Sequence, residues 1–285
     1  MTPLQTLVAQ AFLSACRAEL EAPKPGNVHV FAAGHRMEAR DFLDSAAAAA
    51  GPLVEGLTVG ARIFGAIEAT WAAVGQNTNL GIVLLCAPLA QAVLTGEGGD
   101  LQVRLARVLA QLTVADADLA FRAIARARPA GLGSAGAHDV HAPATITLLG
   151  AMQAAADRDR VAFQYASNFE DIFMRGQAVL DAARGLDPRL ATLRLYAQIL
   201  GAIPDSHIAR KFGDATAQAV RTEAEAFARA LDPLQNVDAA FALALDFDAS
   251  LKRRGLNPGS SADLTVATLF ADCLGRILAN AHKNG

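Results

Sequence analysis

The sequence predicts an all-α protein, on three observations. Apolar residues recur at three- and four-residue spacing almost throughout the chain, the periodicity of helices that bury one face. The background is rich in alanine, the residue of highest helix propensity. No stretch alternates apolar and polar residues for long enough to read as a strand.

The elements follow in order from their start and stop signals. Thr2-Pro3-Leu4-Gln5 is a capping box with proline at the first helical position. The helix it opens must end before Pro23 and Pro25, which lack the N–H that would continue it. Helices are expected over 41–53 and 58–74, with Gly56 and Gly75 as breaks. The most hydrophobic run, 80–94, contains Pro88 and Gln91 and is shorter than the roughly 20 residues that cross a bilayer, so it reads as a buried central helix. Further helices are expected over 100–112, 114–126, 143–156, 168–183, 188–201, 214–231, 237–253 and 261–282. The predicted object is a single all-α domain, 1–285, packed around the central helix. Abundant Ala and 23 Gly against only 13 Phe, 2 Tyr and 1 Trp imply close helix packing in place of an aromatic core.

Composition narrows the function classes. With 53% hydrophobic residues, mean hydropathy +0.27 and net charge −3, the chain lies far from the disordered class. Lys and Arg number 25 against 28 Asp and Glu, so no global basic field exists for nucleic acid or an anionic membrane. Cys16, Cys86 and Cys273 are far apart in apolar helical patterns and read as reduced thiols of a cytoplasmic protein. Residues 1–20 have no basic stretch ahead of their apolar residues and carry Arg17 and Glu19, unlike a secretory signal.

Four segments carry residues that a plain helical bundle does not need. In Pro23-Lys24-Pro25-Gly26-Asn27-Val28-His29 the prolines hold the backbone extended, and Gly26-Asn27 permits a turn that would set Lys24 and Asn27 over a cleft. An ordinary interhelical loop accounts for the same residues. Gly75-Gln76-Asn77-Thr78-Asn79-Leu80-Gly81 precedes the most hydrophobic helix, whose free N–H groups and positive dipole end suit a phosphate or carboxylate. Capping explains one of its polar residues, and the segment has three in Asn77, Thr78 and Asn79.

In Asp205-Ser206-His207-Ile208-Ala209-Arg210-Lys211, Asp205 is placed to cap a short helix with Ser206, Arg210 and His207 on one side. A solvated helix end before Gly213 fits as well. Leu256-Asn257-Pro258-Gly259-Ser260-Ser261-Ala262-Asp263-Leu264 opens the last helix. Its small residues admit a ligand to the backbone, Ser260 and Ser261 offer donors to an anion, and Asp263 suits a metal ion; serine capping with a dipole-favourable Asp263 explains part of this without a ligand. A fifth stretch, the Gly-rich 131–143, reads as a lid or substrate-contacting loop. Its His138-Asp139-Val140-His141 spacing falls short of a specific zinc pattern. The Gly-Lys-Ser/Thr core of a Walker loop, a Gly-x-Ser-x-Gly elbow, His-Glu-x-x-His and Cys-x-x-Cys are absent.

Lys24-Pro25-Gly26-Asn27, Asn77-Thr78-Asn79-Leu80-Gly81, Asp205-Ser206-His207 and Asn257 to Leu264 stand in the order and rough spacing of the triphosphoribosyl-dephospho-CoA synthase family, which this chain resembles over almost its whole length. The resemblance implies an all-α enzyme that uses ATP and Mg2+ to make the precursor of the prosthetic group of citrate lyase or malonate decarboxylase. The triphosphoribosyl part of ATP is joined to the ribose hydroxyl of dephospho-CoA and adenine is released. Such a substitution at an anomeric carbon passes through an oxocarbenium-like state.

By the same resemblance, Asp205 and Asp263 are the leading Mg2+ ligands and, with His207, the catalytic candidates. Lys24, Gly26, Asn27, Asn77, Thr78, Asn79, Ser206, Arg210, Lys211, Asn257, Gly259, Ser260 and Ser261 are implied to bind substrate or its phosphates. Which carboxylate or histidine acts as base stays open. The family pattern at the second segment usually reads Asn-Thr-His-Lys-Gly, whereas Asn79 and Leu80 stand here in place of the His and Lys. That departure keeps two alternatives open: a divergent paralogue acting on another phosphorylated coenzyme precursor, such as one of a one-carbon carrier, and a non-catalytic nucleotide-binding or assembly protein. Small-molecule nucleotides are the implied partners, and exposed Ala/Leu helix faces allow a homodimer.

Overall fold

The computed structural model describes residues 1–34, 37–129 and 138–284, and among these residues the regular structure is entirely helical. The N-terminal capping box forms as its sequence predicts: the Thr2 hydroxyl accepts from the Gln5 N–H at 3.2 Å and Gln5 Oε1 accepts from the Thr2 N–H at 2.7 Å. It opens α1 (Pro3–Leu20). There follow α2 (Ala39–Glu55), α3 (Val59–Val74), α4 (Leu80–Thr95), α5 (Leu101–Ala110) and α6 (Val114–Ala127). Thr58, Asp100 and Thr113 cap α3, α5 and α6 through their side chains.

Two expected helices are corrected. The helix expected over 143–156 begins only at α7 (Leu148–Ala155), because the Thr147 hydroxyl accepts the Gly150 N–H at 3.2 Å and fixes the first turn there. The run 168–183 is not one helix. Asn168 and Phe169 adopt left-handed backbone, at φ 54° and 60°, and leave a π-helical turn, Asp171–Gly176, followed by α9 (Gln177–Ala182). Ahead of it, α8 (Arg160–Ala166) has only seven residues, too few for periodicity to reveal. The remainder is α10 (Pro188–Ala202), α11 (Ser206–Phe212), α12 (Asp214–Leu231), α13 (Val237–Arg253) and α14 (Gly259–Asn284).

Helix α4 is the buried centre that the sequence predicts, packed against α1, α2, α3, α5, α8 and α14. Pro88 lies inside it and has no N–H for the Leu84 carbonyl one turn earlier. The Tyr165 hydroxyl of α8 donates to that carbonyl at 2.6 Å, which satisfies the freed acceptor and ties α8 to the core. Packing is close where small residues predict it. A Cβ on Gly60 of α3 would lie 2.6 Å from Asp116 Cα of α6, and the Gly60 N–H donates to Asp116 Oδ1 at 2.8 Å.

The main core joins α1 to α6 with α14. A smaller apolar cluster, including Tyr196, Ile208, Leu251, Leu256 and Ala262, seats α11 between the end of α13 and the start of α14. None of the described helices is long and apolar enough to cross a membrane.

Candidate active site

The beginnings of α4, α8, α11 and α14 and the ends of α6 and α7 surround a cavity of about 1590 Å³. Eleven of the residues singled out from sequence line it: Asn27, Asn77, Thr78, Ser206, His207, Arg210, Lys211, Asn257, Gly259, Ser260 and Asp263. Lys24, Gly26, Asn79, Asp205 and Ser261 stand behind its wall and hold the others.

Asp263 occupies the centre. One turn into α14, its carboxylate rests on Gly81 in the first turn of α4, where a Cβ would come within 2.5 Å of Asp263 Cγ. Only glycine lets the carboxylate reach the helix start. Among the described residues no hydrogen-bond donor serves Asp263. Burial pushes its carboxyl well above the usual range, and the charges of Asp205, Glu19 and Asp159 add to the shift, with Arg210 opposing.

Asp205 is spent on structure. Its Oδ1 accepts the N–H groups of His207 at 2.9 Å and Ile208 at 3.1 Å, capping α11; its Oδ2 accepts the Ser261 N–H and hydroxyl, each at 2.8 Å. Burial raises its carboxyl, and these donors draw it back. The hydroxyl of Ser260 accepts from the Ser206 N–H at 3.0 Å, so the starts of α11 and α14 are laced together. This brings His207 onto Gly259, where any side chain would strike the imidazole.

The position expected for Lys24, over a cleft, is corrected. Its side chain is 0% exposed, ion-paired with Glu19 and bonded to Asn27 Oδ1 at 3.1 Å and the Val28 carbonyl at 2.7 Å. Burial lowers the ammonium and raises Glu19, and the contact between them opposes both shifts. Three oxygens therefore surround Nζ, from Glu19, Asn27 and Val28, and fix the side chain in place. Gly26 takes φ 80° and its N–H donates to Asp248 Oδ1 at 2.8 Å, while the Asn27 amide donates to Asn257 Oδ1 at 2.9 Å. The Lys24 loop therefore presents Asn27, not Lys24, to the cavity.

At the second segment, Asn77 Oδ1 accepts the Leu80 N–H at 3.2 Å and the Thr78 hydroxyl meets that of Ser45 at 2.6 Å. Asn79 turns inward to the Thr70 hydroxyl at 3.0 Å, leaving its own Oδ1 buried without a partner. Leu80 lines the cavity with an apolar side chain where the family pattern has lysine.

Other lining residues escaped the sequence reading. Glu19 sits on an amphipathic helix where a charged residue reads as solvent-facing, yet it is 3% exposed. Asp159 caps α8 and pairs with Arg210 at 3.2 Å; an aspartate before a helical run was its available signal. Arg128, Arg158 and Arg160 lie at the mouth, with Arg160 held bidentate by Asp171 at 2.7 and 2.8 Å. Of the Gly-rich stretch 131–143, residues 131–137 lie outside the described residues, while His138, Asp139 and Val140 line the cavity. No group of three or more His, Cys, Asp or Glu side chains gathers among the described residues in a way that could hold a metal.

Comparison with known proteins agrees with this architecture. A solved structure from Archaeoglobus fulgidus, assigned as a triphosphoribosyl-dephospho-CoA synthase, superimposes with a TM-score of 0.63 at 22% identity, over 80% of this chain and 96% of that one; at that identity it speaks for the fold. None of the curated proteins matches in sequence. The family model for ATP:dephospho-CoA triphosphoribosyl transferase matches residues 5–281, nearly the whole chain, all four polar segments included. The chain belongs to the ATP:dephospho-CoA triphosphoribosyl transferase family, and is a transferase of the triphosphoribosyl-dephospho-CoA synthase type.

Proposed function

We propose that the cavity binds ATP and dephospho-CoA side by side and transfers the triphosphoribosyl group between them with Mg2+ at Asp263. The observation that carries the reading is Asp263 itself. Among the described residues it has no hydrogen-bond donor, and it is seated on Gly81 inside a cavity larger than the roughly 300–1,000 Å³ that serves one drug-sized ligand. Mg2+ is commonly held by one or two carboxylates and the substrate's own phosphates. The absence of a three-residue cluster among the described residues fits that mode. Asp205, with both oxygens bonded, is assigned to the clamp between α11 and α14.

The bound metal would neutralise charge on the triphosphate. The chain's own groups do the rest in this reading. Arg210 and Lys211 take phosphate oxygens. Asn27, Asn77, Thr78 and Asn257 orient sugar and base through hydrogen bonds. His207, fixed on Gly259, accepts the proton of the attacking hydroxyl. Unpaired Cys16, Cys86 and Cys273 suit a reducing, cytoplasmic setting.

A second reading rests on Leu80. An apolar side chain on the cavity wall, with Asn79 turned away to Thr70, removes the cation that the family pattern places there, and so favours an acceptor other than dephospho-CoA. One experiment separates the two. Purified protein is incubated with Mg2+, ATP and dephospho-CoA, and free adenine and the adduct are followed by mass spectrometry. Adduct with adenine supports the first reading. Folded protein that yields neither sinks that substrate pair and turns the search to other phosphorylated coenzyme precursors.

A further inference from the structure

The cavity holds a second carboxylate whose setting differs from that of Asp263. Glu19 comes from the last turn of α1, is 3% exposed and lines the cavity. Among the described residues its side-chain bond is to Lys24 alone, made through Oε1. Lys24 in turn is fixed by Asn27 and the Val28 carbonyl. Asn27 lines the same cavity and is tied to Asn257 at the entry to α14. Glu19 is thus held at one oxygen by a lysine that is itself fixed by two further partners, and it lines the space a substrate must enter.

A fixed carboxylate is unfavourable beside a polyphosphate. The cavity wall also carries Arg128, Arg158, Arg160, Arg210 and Lys211, together with Asp139, Asp157, Asp159 and Asp214. Arg128, Arg158 and Lys211 are exposed cations suited to phosphates, whereas Glu19 is buried against its lysine. A carboxylate oxygen so placed is unfavourable for a bound anion but favours a sugar ring that becomes cationic on the way to products. Burial deepens the effect, since a charge in a dry site acts through a low effective dielectric.

We propose that Glu19 is a catalytic residue of the triphosphoribosyl transfer, its carboxylate held by Lys24 against the ribose ring so that it stabilises the oxocarbenium-like transition state. The step balances as follows. The C1′–N9 bond of ATP breaks with its electron pair going to adenine, the acceptor oxygen forms the new C1′–O bond, and the hydroxyl proton passes through His207 to solvent, from which adenine takes one proton. Glu19 neither gains nor loses a proton. Lys24, conspicuous in the sequence as a phosphate ligand, becomes the positioning residue that keeps Glu19 ionised and in place.

This rests on the transferase reading, so the test begins with the unmodified protein in the adenine-release assay. An inactive parent overturns both the reading and the proposal; an active parent with an equally active E19Q overturns the proposal alone. The glutamine keeps an oxygen for the Lys24 ammonium and removes only the charge. We expect kcat to fall roughly 100-fold or more, the scale of lost preorganised electrostatic stabilisation, with KM for ATP unchanged or lower. A raised KM with kcat intact assigns Glu19 to ground-state sugar binding and overturns the proposal. Should E19Q fail to fold, E19Q/K24M removes both charges and leaves no lone buried ion. Activity within about threefold of the parent in that variant overturns the proposal as well.

Discussion

At the scale of single residues, the loop that presents Asn27 is held from behind by a charged cluster. Asp248 accepts the Gly26 N–H at 2.8 Å and meets Lys252 at 3.0 Å and His29 Nε2 at 3.4 Å. Burial alone would raise Asp248, but the bonds from His29, Lys252 and Gly26 outweigh it and hold the carboxyl below its usual range. His29 is lowered chiefly by burial, with Asp248 opposing. Both shifts carry the same sign for stability. A lowered carboxyl stabilises above its unfolded pKa and loses that contribution as pH falls through its folded value; a lowered histidine loses its contribution as the unfolded chain takes up a proton below about pH 6.5. Stability should therefore decline on acidification, first below about pH 6.5 and again below about pH 4. D248N should be less stable than the parent at neutral pH, with the gap narrowing toward low pH. Denaturant unfolding at a series of pH values checks this, and a pH-independent gap would refute it.

Among elements, the decisive joint is between α11 and α14. A helix of seven residues has little stability of its own, and α11 stands because Asp205 caps it while its second oxygen grips Ser261. Losing a cap costs about 0.5–2 kcal/mol, and a buried donor left without an acceptor costs about 1–3 kcal/mol more. D205A should thus lose several kcal/mol in chemical denaturation and disperse His207, Arg210 and Ser260. D205N retains an acceptor for the cap and should recover part of that stability. Equal stability of the two variants would mean that the Asp205 oxygens do not hold the joint.

For the whole molecule, the cavity is assembled from helices far apart in sequence, so its occupation should stabilise the fold as a unit. A ligand that binds only the folded state at 100 times its Kd adds about 2.7 kcal/mol. ATP with Mg2+ should raise Tm, and D263N should remove most of the Mg2+-dependent part of the shift while leaving the unliganded Tm near that of the parent. A shift in D263N as large and as Mg2+-dependent as in the parent would place the metal elsewhere.

Local signals determined much of this protein. Periodicity and alanine content dictate the all-α class, Thr2 and Gln5 form the cap their spacing requires, and the apolar 80–94 run lies at the centre because no other position hides so much apolar surface. The same local signals also marked the four segments that meet at the cavity. Sequence could not determine which of their side chains face it. Lys24 and Asp205 look like ligands, yet one is claimed by Glu19 and the other by Ser261, 56 residues away. Glu19, which looks like a surface charge, ends on the cavity floor. A buried charge goes where its partners are, and partners brought from distant helices exist only once the chain has packed. Tertiary structure alone therefore separated the side chains that line the cavity from those that stand behind its wall.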